Sequence, residues 1–336
     1  MRRWSGPVLK LAITALILAA IAWQIDFGSA IEALSRISIV AAAIAVAVVL
    51  AQAFASAIRL KIVVGRFGHR FGVADSFRVS LESMFFSHAF VSFLGGDALR
   101  IWRVRRIGAS LTDATSAVTL DRFIGIFVNH IFMLMSLPWL LVSVRDPSLR
   151  YAYVLLAIVG TVGCAAVLIL GALRGQGGYL HELRMRIPVK SLAMLVVEAA
   201  TVGRYVIRDY ARLTGAWLAS IAIVVTNMVV FAAILIGMGV DASLAVGCAL
   251  LAPAVLEIAM LPISIAGLGL REGAAVVAFG ALGVPHDQAL GASLAFGLAL
   301  LLVGLIGGVL WLVDRRRMAA AVPDVAQDTV GSPTVP

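Results

Sequence analysis

Ser92-Phe93-Leu94-Gly95-Gly96-Asp97-Ala98-Leu99-Arg100 decides how the chain is read. Apolar sequence runs up to it, two glycines interrupt it, and an acid and a base follow. A second stretch of the same make-up lies far downstream, Ser264-Ile265-Ala266-Gly267-Leu268-Gly269-Leu270-Arg271-Glu272. Each begins with Ser, has a glycine pair, and reaches an Arg inside a strongly hydrophobic region. Glycine-interrupted apolar segments at corresponding places in two halves of a chain are the best sequence pointer to a transporter's binding site. The two stretches are expected to meet and hold an anionic substrate.

Outward from them, the composition fixes the solvent. Hydrophobic residues make up 62% of the chain and charged residues 13%, against roughly 25% charged in soluble domains. The class is all-α polytopic membrane protein, with about six to eight transmembrane helices of roughly 20 apolar residues each, two glycine-interrupted re-entrant elements, and a suggested internal pseudo-repeat. The net charge of +9 sits in clusters between apolar runs. Such clusters report orientation and contact with anionic lipid; no basic soluble domain is present to bind nucleic acid. Cys164 and Cys248 both fall in apolar runs, where they pack as small hydrophobes. No metal-ligand spacing and no cofactor motif is found.

In chain order, Val8 to Ile25 reads as an uncleaved first span and Ile37 to Ile58 as a second, closed by the basic run Arg59, Lys61, Arg66 and Arg70. Ala74 to Arg100 carries Arg78, Glu82 and His88 and lies between two basic loops, which predicts a half-inserted element with Asp75 as its cap. Thr112 to Val144, capped by Thr112 or Asp113, and Tyr151 to Leu173 are further spans. The basic, amphipathic segment 174–212 reads as an interfacial linker between a first half (1–173) and a second half (213–317) of one membrane domain. Leu213 to Val240 and Gln288 to Val313, the latter capped by Asp287, are spans. Gly273 to Val284 is too short to cross upright, and residues 318–336 read as a disordered tail. Arg and Lys counts place both termini on the cytoplasmic side.

The ordered set Gly95-Gly96-Asp97-x-x-Arg100, then Ala114-x-x-Ala117-x-x-x-x-Asp121-Arg122, then Pro262-x-Ser264-x-x-Gly267-x-Gly269-x-Arg271-Glu272-Gly273 resembles the lysylphosphatidylglycerol synthase transmembrane-region family, also termed flippase-like or YbhN-type. The resemblance runs from about Leu11 to Val313. Where relatives often carry Leu-Pro-Ser, this chain reads Phe90-Val91-Ser92. The resemblance implies a bacterial or archaeal inner-membrane protein. In larger relatives this region is associated with translocating an aminoacylated lipid, and a separate soluble domain performs the aminoacyl transfer. No such domain is expected here, so no enzyme activity is carried over. Stand-alone relatives linked to hopanoid or polyprenyl-phosphate pathways leave the lipid open.

Arg100 and Arg271 are the leading site residues, because a guanidinium offers a rigid fork that fits phosphate and keeps its charge. Gly95, Gly96, Gly267 and Gly269 are expected to let backbone amides approach an anion, with Ser92 and Ser264 beside them. Asp97 is expected to orient Arg100 or to cap the following helix. Asp121 and Arg122 face different directions on their helix, and one of them is expected to pair with a charge on another helix, Arg122 with Glu82 or Asp97 being favoured. Arg271 is a functional charge or a structural partner of Glu272 or Glu257. Glu257 is an arginine partner or a proton-coupling carboxylate, a role Glu272 could also take. His88 and His130 are read as core packing. The leading function is a carrier of lipids with an anionic headgroup, phospholipid or polyprenyl-phosphate. A lipid-binding accessory subunit docked on a lipid or glycolipid synthase is the alternative, and an enzyme acting on lipid phosphate ranks third.

Overall fold

The computed structural model describes residues 37–89, 95–173, 190–261 and 269–320, with a few positions between 32 and 35. Among them are ten α-helices and one short 3₁₀ turn. They are α1 (Ile39–Arg66), α2 (Val73–Ala89), α3 (Gly95–Arg106), α4 (Leu111–Ser143), α5 (Pro147–Leu173), α6 (Lys190–Arg208), α7 (Thr214–Gly237), α8 (Ala242–Ala259), α9 (Leu270–Gly280) and α10 (His286–Ala320). The all-α, multi-pass character expected from composition is the architecture found.

The pairing of α1 with α7 sets the frame. Ala41, Ala45, Val49, Ala53 and Ala57 are buried at every fourth position of α1, a stripe of mostly small side chains along one helix face. In lipid, where apolar tails offer helices no hydrophobic reason to associate, close van der Waals packing of small residues does that work. The two helices run antiparallel. Ser38 N donates to Gly237 O at 3.1 Å at one end, and Gly215 faces Ile62 at the other.

The hairpins follow from that frame. A short turn leads from the Arg66 end of α1 into α2, and α3 returns to a turn at Gly108 before α4. α4 finishes at the opposite end, where Trp139 packs on Gly247 near the start of α8. The α2–α3 hairpin therefore leaves and re-joins the Arg66 end. α8 starts from the other end, just after Gly237, and α9 brings the chain back to it, since Leu282 also meets Gly247. At about 1.5 Å per residue, the 11 residues of α9 cover only about half the membrane. Both segments are thus re-entrant, and they enter from opposite ends.

The order crossing helix, hairpin, crossing helix occurs twice, as α1 to α4 and as α7 to α10. Neighbour relations repeat with it: α2 packs on α10 as α8 packs on α4, and α1 touches α4 as α7 touches α10. This is an inverted-topology repeat, the arrangement in which transporter sites lie at the repeat interface near mid-membrane.

Among the described residues, six helices are long and apolar enough to cross a membrane by length and composition. One is α8, which the chain path makes half of a hairpin, so five crossings are described: α1, α4, α5, α7 and α10. The expected first span lies outside the described residues, as do residues 321–336 of the expected disordered tail, whose residues 318–320 instead continue α10, and residues 174–189 of the linker. The linker's described part, α6, packs along α5, where a Cβ on Gly203 would collide with Val167 O. Arg66 ties it to the Arg66 end through Asp209 at 2.8 Å.

Three capping expectations are corrected. Ser110, not Thr112 or Asp113, caps α4, its hydroxyl accepting from Asp113 N at 3.0 Å, as an N-cap hydroxyl does for the third helical amide. α10 begins at His286, with Asp287 inside its first turn, and Asp75 likewise lies within the first turn of α2. Those carboxylates offset the positive helix ends without occupying the cap.

Candidate functional site

One cavity of about 270 Å³ lies between the two halves. Its lining includes Arg59 on α1, Arg100 on α3, Arg122 on α4 and Arg271 on α9, with Ser56, Ser83, Asn129, Ser220 and Asn227 among its polar groups. Leu256, Met260, Phe296 and Leu300 supply apolar wall. The two leading arginines of the sequence therefore line the same space.

Asp121 is the anchor of the first half. Its carboxylate is fully buried and takes Arg59 Nε at 2.8 Å and Nη2 at 3.1 Å, and Arg100 Nη1 at 2.9 Å. Ser220 accepts from Arg59 Nη1 at 3.1 Å, and Ser83 and Ser56 accept from Arg100 at 3.1 and 3.2 Å. Two cations thus share one anion. A charge removed from water is tolerated when its remaining protons are hydrogen-bonded, and the three serines meet that condition.

The second half repeats the plan with weaker groups. Arg271 pairs with its neighbour Glu272 and donates from Nε to Ser293 on α10 at 3.2 Å. Glu272 Oε2 accepts from Gly269 N at 2.7 Å, so this carboxylate also occupies the positive end of α9. The Phe296 ring lies 5.6 Å from the Arg271 guanidinium carbon, within cation–π range. Gly125, one turn after Asp121, faces Arg59, and Gly297, one turn after Ser293, faces Arg271. A Cβ at Gly125 would stand 2.7 Å from Arg59 Nη1. The repeat keeps a side-chain-free helix face wherever a guanidinium must pass.

Arg122 takes Asp97 at 2.8 Å. Glu82, the other expected partner of Arg122, instead holds Arg78 at 3.0 Å and Arg103 at 2.7 Å. Around the cavity, four guanidinium groups thus face three carboxylates, Asp97, Asp121 and Glu272. One positive charge is in excess in a region walled by apolar helices. Such a region focuses the field on an anion.

A family model, the lysylphosphatidylglycerol synthase TM region, matches residues 8–308. The chain belongs to that family. No curated protein is matched by the chain. This member of the lysylphosphatidylglycerol synthase TM region family departs from its sequence reading at several residues. A Cβ at Gly96 would stand 2.6 Å from Ser83 O, so this glycine lets α3 lie against α2. Gly95 opens α3, and neither glycine lines the cavity. Gly269 has φ 81°, a left-handed conformation that suits glycine, at the start of α9. Ser92, Ser264 and Gly267 lie outside the described residues, as does the side chain of His88.

Among the described residues Glu257 has no arginine partner. His130 Nδ1 lies 2.8 Å from its Oε1, and His130 Nε2 lies 3.0 Å from Thr161 Oγ1. The buried His130 is thus tied to a half-buried Glu257 and an exposed Thr161, a correction to its reading as plain packing. The cavity residues the sequence reading passed over are Arg59, taken as a marker of orientation, and the wall groups Ser56, Ser83, Asn129, Ser220 and Asn227. Arg59 had a signal: it falls next to Leu60 on the face that begins with Ala41 and Ala45, and not opposite it.

Proposed function

We propose that this protein moves lipids with an anionic headgroup between the leaflets, holding the headgroup in the arginine cavity while the acyl chains stay in the bilayer. The observation that carries the reading is the single cavity lined by Arg59, Arg100, Arg122 and Arg271 with one positive charge in excess. Its volume of about 270 Å³ is near the lower end of small-ligand sites, roughly 300–1,000 Å³. It suits a headgroup and excludes whole acyl chains. The inverted repeat, with one hairpin from each end, supports alternating exposure of a central site.

The Arg66 end, where Arg70 follows α1, Arg105 and Arg106 close α3 and Arg208 closes α6, is the cytoplasmic end in this reading, and the membrane is the bacterial inner membrane. The reading assigns the chain no catalytic step of its own. Proteoliposomes with a fluorescent phosphatidylglycerol in one leaflet test it. Faster redistribution with wild-type protein, lost in the Arg100→Ala/Arg271→Ala double variant, is expected. Redistribution no faster than in protein-free vesicles, for this lipid and for a polyprenyl phosphate alike, overturns it.

A further inference from the structure

The cavity reading leaves unused the triad of His130 on α4, Thr161 on α5 and Glu257 on α8. His130 is 3% exposed. Both its ring nitrogens are engaged, Nδ1 by Glu257 and Nε2 by Thr161. Glu257 Oε2 is buried with no hydrogen-bond partner among the described residues. An ionisable pair with a spare acceptor inside a membrane is a costly arrangement, and such groups mark ion paths and proton relays.

Three features connect this pair to the cavity. Asn129, adjacent to His130 in sequence, lines the cavity, and its Nδ2 donates to Pro253 O on α8 at 2.9 Å. Leu256, adjacent to Glu257, lines the same cavity. Gly160 on α5 presses on the pair from behind, where an added Cβ would stand 2.7 Å from Glu257 Oε1 and collide with the imidazole. The pair is thus clamped between α5 and the cavity wall.

The groups facing it can be named element by element. α5 contributes Tyr153 and Cys164, both within electrostatic reach of Glu257. On the cavity side stand Arg59 of α1, Asp97 and Arg100 of α3, Asp121 and Arg122 of α4, and Arg271 and Glu272 of α9. α7, packed on both α4 and α8, carries no ionisable residue. α6 meets α5 at Val167 and Gly171, about two to three turns along from Gly160.

We propose that the His130–Glu257 pair is a proton-binding site linked to the cavity, so that protonation of the pair and occupation of the cavity by an anionic headgroup favour one another. The inference rests on the carrier reading and names its coupling ion. With Nε2–H donated to Thr161 Oγ1 and one further proton shared between Nδ1 and Oε1, the pair is neutral overall. A proton taken from water yields imidazolium beside carboxylic acid, one unit more positive, and returns to water on release. No bond other than N–H or O–H is made or broken. A phosphate in the cavity attracts that added charge across a poorly screening interior, and by linkage the proton raises phosphate affinity by the same factor.

The test measures binding of short-chain phosphatidylglycerol to purified full-length protein in weakly buffered solution with a pH-sensitive dye. Wild type is expected to bind at least about fivefold more tightly at about pH 5.5 than at about pH 8, with net proton uptake. His130→Gln and Glu257→Gln abolish the pH dependence and the uptake. Thr161→Val, which removes only the Nε2 partner, shifts the midpoint and serves if the Gln variants do not fold. Binding by wild type with equal affinity at both pH values and no proton uptake overturns the proton site and leaves the carrier reading standing. Full pH dependence in either Gln variant overturns the assignment to this pair. Absence of binding at every pH, for phosphatidylglycerol and for a short-chain polyprenyl phosphate alike, overturns both.

Discussion

Arg100 and Arg271 line one cavity although they stand on hairpins that begin at opposite ends of the helix bundle. Each is held through a partner on the long helix that follows its hairpin, Asp121 on α4 for Arg100 and Ser293 on α10 for Arg271. A site built this way belongs to neither half. A ligand touching both guanidinium groups would feel any relative motion of the halves.

Retention of an anionic lipid should depend on both arginines. A hydrogen bond to a charged group is worth about 1.5–3 kcal/mol, so each of Arg100→Ala and Arg271→Ala is expected to weaken binding by about tenfold or more. Mass spectrometry of lipids that co-purify in mild detergent reads this. Equal phosphatidylglycerol on wild type and on the double variant would reduce both arginines to structural roles.

Asp121→Asn should be the most damaging conservative change in the site. It leaves Arg59 and Arg100 buried with no counter-charge, and breaking a buried pair from one side costs about 3–5 kcal/mol. Asp97→Asn removes the partner of Arg122, whose side chain is 29% exposed, and should cost well under half as much. Thermal unfolding in detergent compares the two; an equal drop in Tm would contradict the buried-anchor account.

Gly307→Ala and Gly163→Ala should differ in sign. A Cβ at Gly307 would collide with Leu81 O, where α10 crosses α2, whereas nothing among the described residues lies within 4 Å of the corresponding atom at Gly163. The first is expected to destabilise by about 1–3 kcal/mol through overpacking. The second should stabilise by up to about 1 kcal/mol, the helix preference of Ala over Gly.

Asp241 lies at the exposed start of α8, outside the part embedded in the membrane, and caps that helix. Its carboxylate is held below the ordinary range chiefly by the Ser243 hydroxyl, then by the Ser243 and Leu244 amides. A group depressed in the folded state stabilises above its unfolded pKa, and that stabilisation fades as pH falls through the folded value. Asp241→Ala should speed amide exchange at Ser243 and Leu244 at neutral pH. In wild type the same loss should begin only below the usual carboxylate range; its onset near neutral pH would contradict the cap.

Local sequence made part of this legible. The two glycine-broken stretches carry a cost in a lipid-facing span that only a re-entrant element relieves, so both hairpins could be read, and Arg100 and Arg271 with them. The Arg122–Asp97 pair was one of two options, and structure selected it because Glu82 is already taken by Arg78 and Arg103. The role of Arg59 was legible only in part, from its place on the Ala41 face of α1. In a basic run it looks like an orientation marker, and only the rotation of α1 against α4 turns it toward Asp121. His130 and Glu257 were each read alone because their pairing joins helices far apart in the chain.

Composition and periodicity by themselves determined a multi-pass helical membrane protein with two interrupted elements, because the cost of burying peptide groups and charges in lipid acts residue by residue. Tertiary structure decided that the halves are inverted, that the hairpins share a cavity, and which carboxylate balances which arginine. Those outcomes depend on helix rotation and crossing geometry, set by contacts such as Gly125 against Arg59 and Gly297 against Arg271, which no local window of sequence contains.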